Sequence, residues 1–301
     1  MNDRNADPSR RATDESPEET FSLISDETRV EIIRALGDAR GENERPPAIP
    51  FAEIRSALPF RIDSAKFNYH LQQLVGHFIE EADEGYRLRP EGWTLYRTLH
   101  AGTLDYRDSF ENIDAQFDCY YCNSGVTAAY ADGEFRVECP GCGYLYDTTT
   151  RLPAAAVDDG ESLLSQVDRY NQHKRLAFTK GVCPTCASGV DAAFVAPEDA
   201  PFDEARRTAY IHYLCDQCGN QELLSVGEAF RDDPGLIAFC HEHGVDYSTS
   251  PVWEIEFAAT DRFVTVTERD PWEVVLHVAF GDETLELVID DSVTVVERNR
   301  V

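Results

Sequence analysis

The chain has 301 residues, of which 42% are apolar, and a formal net charge of −29 at pH 7. This length allows two or three domains, and this apolar content is enough for folded cores, so the charge does not indicate disorder along the whole chain. The sequence contains no secretory signal and no run of about 20 apolar residues, so we expect a cytoplasmic protein without a membrane span.

The basic residues are unusual in kind. Of the 27, only Lys66, Lys174 and Lys180 are lysines, and the acidic excess is spread over the chain. A surface rich in Asp and Glu and almost free of Lys is typical of adaptation to multimolar salt, where the Debye length falls to roughly 3 Å and carboxylates repel one another weakly. An acidic protein from an ordinary cytosol is the alternative.

Residues 1–19 are polar, and we expect them to be a disordered lead. A helical pattern follows in "FSLISDETRVEIIRALGD", with apolar residues at helical spacing. Ser25 offers an N-cap for this helix, and Gly37 offers a stop.

The next segments predict further helices around one β-hairpin. After a polar loop, "FAEIRSAL" predicts a short helix that Pro59 ends, and Asp63 or Ser64 can cap the helix that follows. "FIEEADEGYRLRPEG" predicts two short strands around an acidic turn. Pro90 then begins a last helix.

This order of elements, with the segments "FSLISDETRVEIIRAL", "DSAKFNYHLQQL" and "FIEE…GYRLRPEG", resembles the ArsR-like winged helix-turn-helix transcriptional regulators, especially the acidic versions of halophilic archaea. The resemblance covers roughly residues 20–103 and implies a homodimer that binds double-stranded DNA. Metal-sensing members of that family carry a cysteine motif on or near the recognition helix. Residues 20–104 contain no cysteine, so we expect no metal sensing there.

The segment from residue 64 has a polar side suited to base edges. If Phe67 and Leu71 face the core, the opposite side presents groups that can bond adenine edges or phosphates. The candidate DNA contacts are Ser64, Lys66, Asn68, Tyr69, Gln72 and Gln73, together with Arg87 on the hairpin. Residues 51–79 have a net charge of +1, whereas residues 105–301 carry 14 basic and 37 acidic side chains. For an isolated helix, a solvated polar face would be the better reading, and His70 reads equally well as a packed histidine.

Eight of the nine cysteines form four Cys-x-x-Cys pairs. The pairs are Cys119 and Cys122, Cys139 and Cys142, Cys183 and Cys186, and Cys215 and Cys218. Two residues between thiolates allow both sulfurs to bind one metal, so the spacing predicts two structural Zn²⁺ ions with no open coordination position. Two predicted strands around an Asp132-Gly133 turn favour sequential pairing of the cysteine pairs, with cross-braced pairing as the alternative. Cys240 reads as a free thiol, with a third metal site beside His241 and His243 as the alternative.

The C-terminal third predicts five strands, "VWEIEF", "RFVTVT", "WEVVLHVAF", "TLELVI" and "VTVV". We expect an antiparallel sheet packed on the second cysteine-rich segment and its helix. The third strand is apolar on both faces and is expected to be central.

The sequence therefore predicts an α+β protein with an N-terminal winged helix-turn-helix domain, two zinc-ribbon-like units and a C-terminal antiparallel sheet. The expected boundaries are 20–104 for the DNA-binding domain, 105–180 for the first ribbon and its helix, and 181–301 for the remainder. A DNA-binding regulator is the first functional hypothesis, and a non-catalytic zinc-ribbon adaptor for protein or RNA is the second. No GxxxxGK[ST], GxGxxG or HExxH signature occurs, so an enzyme is not expected.

Overall fold

The computed structural model describes residues 17–39, 47–103, 109–150, 152–153, 163–200, 206–245, 247 and 250–301. Over these residues the protein is a mixed α+β structure with several antiparallel sheets. The chain divides into two compact units, an N-terminal unit at Met1–Leu104 and a C-terminal unit at Asp105–Val301, each with its own hydrophobic core. In the described part, every helix is too short or too polar to cross a lipid bilayer.

The N-terminal unit consists of five helices and one two-stranded sheet within its described residues. The elements are α1 Pro17–Leu23, α2 Glu27–Asp38, α3 Phe51–Ala57, α4 Ser64–Leu74, β1 Ile79–Ala82, β2 Gly85–Leu88 and α5 Pro90–His100. The predicted hairpin is confirmed, because β1 and β2 pair antiparallel from Ile79 opposite Leu88 to Ala82 opposite Gly85. Pro90 begins α5, as the sequence indicated.

The start of the chain differs from the expectation in two respects. Residues 17–19, assigned to the disordered lead, already belong to α1, where Pro17 has the fixed φ suited to a first helical turn. The helix expected after Ser25 is α2, and Asp26, not Ser25, is its N-cap. The Asp26 carboxylate accepts hydrogen bonds from the N–H groups of Thr28 and Arg29 at 2.9 and 3.3 Å.

Asp26 also connects α2 to α4. The Asp26 carboxylate lies 3.3 Å from Nδ1 of His70. His70 is buried, so it is a packed histidine of this unit. Burial acts to raise the pKa of Asp26, but the charge of His70 and the backbone N–H groups of Arg29 and Thr28 lower it.

The core of the N-terminal unit receives one side of α4. Phe67, Leu71 and Leu74 are fully buried, as the apolar spacing predicted. Asp63 caps α4 by accepting a hydrogen bond from the N–H of Lys66 at 2.9 Å. The helix therefore has a fixed start and a fixed rotation about its own axis.

Gly37 does not end α2, contrary to the expectation. α2 continues to Asp38, and Gly37 is buried at the point where α5 crosses α2. A Cβ atom at Gly37 would lie only 2.2 Å from Cδ2 of Tyr96. The hydroxyl of Tyr96 donates a hydrogen bond to Asp38 at 2.8 Å and holds the ring there. Glycine is thus needed here for close packing between helices.

Gly37→Ala is expected to destabilise the protein by about 1–3 kcal/mol, because the added methyl group forces the Tyr96 ring from a closely packed site. On an exposed helix the same change would stabilise by up to about 1 kcal/mol through helix propensity. Denaturant unfolding measures the difference. An unchanged or increased free energy of unfolding would contradict the packing described for α2 and α5.

The C-terminal unit contains three antiparallel sheets and four helices within its described residues. Its strands are β3 Phe110–Asp118, β4 Gly125–Ala131, β5 Glu134–Glu138, β6 Leu145–Thr150, β7 Asp191–Val195, β8 Tyr210–Leu214, β9 Gln221–Ser225, β10 Val264–Arg269, β11 Trp272–Phe280, β12 Glu283–Asp290 and β13 Val295–Arg300. Its helices are α6 Leu163–Thr179, α7 Val226–Ala229, α8 Pro234–Glu242 and α9 Glu256–Ala259. The sheets have the orders β3-β4-β5-β6, β7-β8-β9 and β10-β11-β12-β13.

The two cysteine-bearing sheets share one arrangement. In the first, Cys-x-x-Cys segments join β3 to β4 and β5 to β6. In the second, an isolated antiparallel bridge between Val182 and Gly189 takes the place of the first strand pair, and the fourth cysteine segment joins β8 to β9. Each sheet is followed by a helix, α6 after the first and α7 and α8 after the second. This is the arrangement that an internal repeat produces.

The segment "VWEIEF" is not a strand, which corrects the sequence analysis. It forms a 3₁₀ turn at Val252–Glu254 and the short helix α9. The segment alternates polar and apolar residues as a strand does. However, the consecutive residues Phe257, Ala258 and Ala259 are all buried, whereas a strand with one solvated face buries every second residue. Tertiary packing has overridden the local pattern.

The C-terminal sheet packs where it was expected. Its strands β11 and β12 are the inner pair, so the prediction of a central β11 is confirmed. The ring of Phe280 lies 5.6 Å from that of Phe239 on α8, and the ring of Trp272 stacks on Phe194 of β7 at 5.3 Å. One hydrophobic core includes residues of all three sheets and runs across residue 180, where the sequence analysis placed a boundary.

Arg175 of α6 connects the two cysteine-bearing sheets. It is buried, and its guanidinium lies 2.5 Å from Asp147 of β6, 3.0 Å from Glu222 of β9 and 2.7 Å from Glu228 of α7. Lys174 adds a second cation 2.6 Å from Glu222. The charges of Asp147, Glu222 and Glu228 are therefore compensated mainly by one side chain.

Candidate functional site

All four Cys-x-x-Cys segments have the same backbone geometry. In each, the N–H of the residue after the second cysteine donates to the carbonyl oxygen of the first cysteine at 2.8 or 2.9 Å. That residue has a positive φ: Asn123 at 61°, Gly143 at 73°, Ala187 at 59° and Gly219 at 70°. Gly and Asn adopt this left-handed conformation readily, whereas Ala187 does so at a cost of about 1 kcal/mol. The tight turn brings both sulfurs of a segment to one side.

The first cluster consists of Cys119, Cys122, Cys139 and Cys142, whose sulfur atoms all lie within 4.8 Å of one another. Sγ of Cys119 is 3.7 Å from Sγ of Cys142, and Sγ of Cys122 is 3.4 Å from Sγ of Cys139. The predicted strands between Cys122 and Cys139 are β4 and β5, and Asp132 and Gly133 at their turn both have positive φ.

The second cluster consists of Cys183, Cys186, Cys215 and Cys218, again within 4.8 Å. Sγ of Cys183 is 3.6 Å from Sγ of Cys218, and Sγ of Cys186 is 3.5 Å from Sγ of Cys215. Each cluster thus joins consecutive cysteine pairs, which confirms sequential pairing and rules out the cross-braced alternative. Each could hold a metal ion.

Other side chains donate hydrogen bonds to the first cluster. The hydroxyl of Tyr146 donates to Sγ of Cys119 at 3.2 Å, and Arg206 donates to Sγ of Cys142 at 3.1 Å. Arg206 and Arg262 both lie 4.8 Å from the ring of Tyr121, which stands between the two cysteines of the first segment. These cations and donors stabilise negative charge on the sulfurs.

The second cluster has fewer such partners among the described residues. Nδ2 of Asn220 donates to Sγ of Cys183 at 3.7 Å. Cys186 and Cys218 are exposed, whereas Cys183 and Cys215 are buried. The second cluster is therefore the more accessible of the two to solvent.

The thiols of each cluster differ in acidity. Hydrogen bonds from the hydroxyl and the N–H of Ser124 lower the pKa of Cys122 to about 6. Burial and the neighbouring Cys122 raise the pKa of Cys139 to about 12. Four thiols so close together cannot all lose their protons without a cation among them, so a bound divalent ion would displace protons from the cluster.

Cys240 and His212 take no part in either cluster. Cys240 is fully buried in α8, and burial raises the pKa of its thiol to about 11. Nε2 of His212 lies 2.9 Å from Oε1 of Gln221. Among the described residues, the groups of side chains that could hold a metal ion are the two clusters, and Cys240 lies outside both.

The solvent side of α4 is the second candidate site. All the polar residues singled out on it, namely Ser64, Lys66, Asn68, Tyr69, Gln72 and Gln73, are exposed, and Tyr69 is 62% exposed. Arg87 is also exposed, but it forms an ion pair with Glu80 across the hairpin. The structure thus brings six of the seven candidate residues onto one helix and leaves Arg87 tied to a carboxylate.

Sequence reasoning missed the residues around the clusters. Arg206 lies 64 positions from Cys142, and Tyr146 lies 27 positions from Cys119. Neither stands in a motif. The local signal was limited to the aromatic residues of "CYYC" and "GYLY", which indicate that large side chains pack around the first cluster.

The fold and the sites define a mixed α+β protein with two four-cysteine clusters that could hold metal ions. A family model described as "Domain of unknown function (DUF7351)" matches residues 116–295, and a second, "Domain of unknown function (DUF7347)", matches residues 17–99. Because the first match covers more than half of the chain, the chain belongs to the DUF7351 family. Neither description names an ArsR-like or winged-helix family. Comparison with curated proteins and with solved structures gave no match.

Proposed function

We propose that the protein is a DNA-binding transcriptional regulator whose N-terminal unit is a winged helix-turn-helix domain. The observation that carries the proposal is the two-sided character of α4. Phe67, Leu71 and Leu74 are fully buried on one side, and the amide side chains Asn68 and Gln72 are exposed on the other. Amides of this kind read adenine in the major groove through paired hydrogen bonds.

The order of elements supports the same proposal. α3 and α4 are two helices joined by a turn, and the β1–β2 hairpin with α5 follows them. In winged-helix proteins the second helix of such a pair enters the major groove and the hairpin lies beside it. The α4 candidates are all exposed, which supports that use, although Gln72 also forms a side-chain hydrogen bond with the buried Tyr86.

Three basic side chains near α4 are available for phosphates. No described carboxylate lies within 4.0 Å of the charged groups of Arg55, Arg61 or Lys66. The hairpin, in contrast, carries Glu80 and Glu81 and is acidic. Binding by counterion release is weak in concentrated salt, so in this proposal affinity depends on hydrogen bonds, shape and dimerisation more than on net charge.

We further propose that both clusters bind Zn²⁺. A tetrahedron with Zn–S bonds of about 2.3 Å has sulfur–sulfur edges of roughly 3.8 Å. In each cluster, two sulfur–sulfur distances lie at 3.4–3.7 Å, and all sulfurs lie within 4.8 Å of one another. Four thiolates fill the coordination sphere, so such ions stabilise the fold and leave no position for a substrate. Zinc ions in such sites would be structural and not catalytic.

Footprinting on the DNA upstream of the protein's own gene tests the regulator proposal. Asn68→Ala and Gln72→Ala are each expected to weaken binding to the protected site by about 1–3 kcal/mol, because each removes one set of base-edge hydrogen bonds. Binding to unrelated DNA should change little, since phosphate contacts remain. Titrations in molar KCl give the dissociation constants.

Asn299→Ala is the matched control, because Asn299 is an exposed asparagine on β13 of the C-terminal unit. It should leave DNA affinity unchanged. Absence of any protected site from dilute to molar salt would overturn the regulator proposal and favour a zinc-ribbon adaptor that binds protein or RNA. Equal affinity of Asn68→Ala and the native protein would show that α4 is not the reading helix.

A further inference from the structure

A cavity of about 370 Å³ lies between α6 and α8 in the C-terminal unit. Leu176, Ile237 and Val245 form its apolar wall and are 44%, 48% and 37% exposed. They are three of the nine large apolar side chains that are exposed in the described part of the chain. Scattered apolar side chains on a surface need no explanation, but three that line one concavity of this size are typical of a ligand site.

The carboxylates at this cavity already have cationic partners. Glu228 lies 2.7 Å from the guanidinium of Arg175, and Asp232 is paired with Lys180. Burial raises the pKa of Glu228, so its negative charge is also weakened. Neither carboxylate is therefore free to attract a cationic ligand.

Arg231 is the arginine at this cavity that makes no ion pair of this kind, although burial raises the pKa of Asp168 to about 6 and the charge of Arg231 acts to lower it. Its Nη2 donates hydrogen bonds to the carbonyl oxygens of Tyr247 and Ser250 at 2.6 and 2.8 Å. Among the described residues, no carboxylate lies within 4.0 Å of its guanidinium nitrogens. The hydroxyl of Tyr247 donates a hydrogen bond to the carbonyl oxygen of Arg231 at 2.5 Å. This bond holds Tyr247 beside Arg231 at the cavity.

We propose that this cavity binds a small amphiphilic organic anion, with its carboxylate on Arg231 and its hydrocarbon part on Leu176, Ile237 and Val245. A volume of about 370 Å³ lies within the range of about 300–1,000 Å³ that is usual for small-molecule sites. A monoanion fits better than a phosphate, because one guanidinium beside apolar walls cannot offset the desolvation of a dianion. The inference concerns the C-terminal unit alone and does not depend on DNA binding.

Phenylbutyrate is a suitable probe, since it has an aromatic tail, one carboxylate and the right size. Calorimetric titration of the full chain is expected to show saturable binding of one phenylbutyrate. Phenylbutanol and phenylbutylamine, which keep the tail and change the charge, should bind about tenfold more weakly or worse, a difference of about 1.4 kcal/mol. Absence of phenylbutyrate binding, or equal affinity for the three compounds, would overturn the proposal.

Ile237→Asp tests the apolar wall, and Val296→Asp is its control. Both side chains are exposed, at 48% and 52%, so neither change is expected to prevent folding. Ile237→Asp should weaken phenylbutyrate binding by about tenfold or more, since it removes apolar contact and adds a like charge. Val296→Asp, on β13 outside the cavity, should leave the affinity unchanged. Equal affinity of Ile237→Asp and the native protein would place the probe elsewhere and overturn the proposal.

Discussion

On the proposal that each cluster binds Zn²⁺, replacement of Cys139 by serine is expected to release one of the two ions and to unfold the sheet of β3–β6. Cys139 is fully buried, and its Sγ lies 3.4 Å from that of Cys122. A serine hydroxyl stays protonated near neutral pH and does not replace a thiolate ligand. Since structural zinc contributes about 10–16 kcal/mol of apparent binding free energy in zinc-finger peptides, a loss on the order of 5 kcal/mol or more is expected here.

Native mass spectrometry of the full chain counts the ions directly, and thermal unfolding measures the loss of stability. The native protein should carry two ions and Cys139→Ser one. Cys240→Ala is the control, because Cys240 is equally buried but belongs to neither cluster. It should keep both ions and lose only about 1–2 kcal/mol through the small cavity that it creates. Two ions retained in Cys139→Ser, or none in the native protein, would refute the metal assignment.

The cluster residues were predictable because the information for them is local. Two residues between cysteines constrain where both sulfurs can point, and the turn at Asp132 and Gly133 places β4 beside β5. Once that hairpin forms, Cys122 and Cys139 must approach each other. The hairpin of β1 and β2 and the apolar spacing of α4 were predictable on the same grounds.

The sequence predictions were wrong where contacts with residues distant in the sequence determine the local structure. Gly37 looked like a helix stop, but Tyr96, from another helix, determines its role. "VWEIEF" has strand-like alternation, yet the hydroxyl of Tyr144 donates to the carbonyl oxygen of Ala259 at 2.9 Å and holds a helical segment there. Arg206 could not be connected with Cys142, because no local pattern relates the two residues.

The charge of the chain illustrates the same limit. The composition predicted a surface rich in carboxylates, but it gave no indication that Asp147, Glu222 and Glu228 converge on Arg175 inside the C-terminal unit. Salt screens the surface carboxylates and leaves a buried group of charges almost unaffected. The pairing of these carboxylates with Arg175 is therefore expected to change little with salt concentration.

Arg175→Met is accordingly expected to destabilise the protein by about 3–5 kcal/mol, because it leaves buried carboxylates without their main cation. Methionine keeps much of the length and apolar contact of the arginine stem, so the loss of stability reflects the missing charge more than the missing volume. Arg300→Met is the matched control. Arg300 forms an ion pair with Glu242 at 2.6 Å, but both side chains are about half exposed, at 49% and 52%, and such pairs contribute about 0–1 kcal/mol.

The pH dependence separates lost charge pairing from lost packing. In the native protein burial acts to raise the pKa of Glu222, but the charges of Arg175 and Lys174 hold that pKa below its usual value of 4.5. Glu222 therefore stabilises the fold above pH 4.5, and this contribution is lost as the pH falls through the pKa of the folded state. Without Arg175 the pKa values of Glu222 and Glu228 rise in the folded state, so the variant gains stability relative to the native protein as the pH falls and these carboxylates take up protons. Urea unfolding of both proteins over a pH series gives the two curves. A difference in stability that stays constant from neutral to mildly acidic pH would show that packing, not charge, connects α6 to the two sheets.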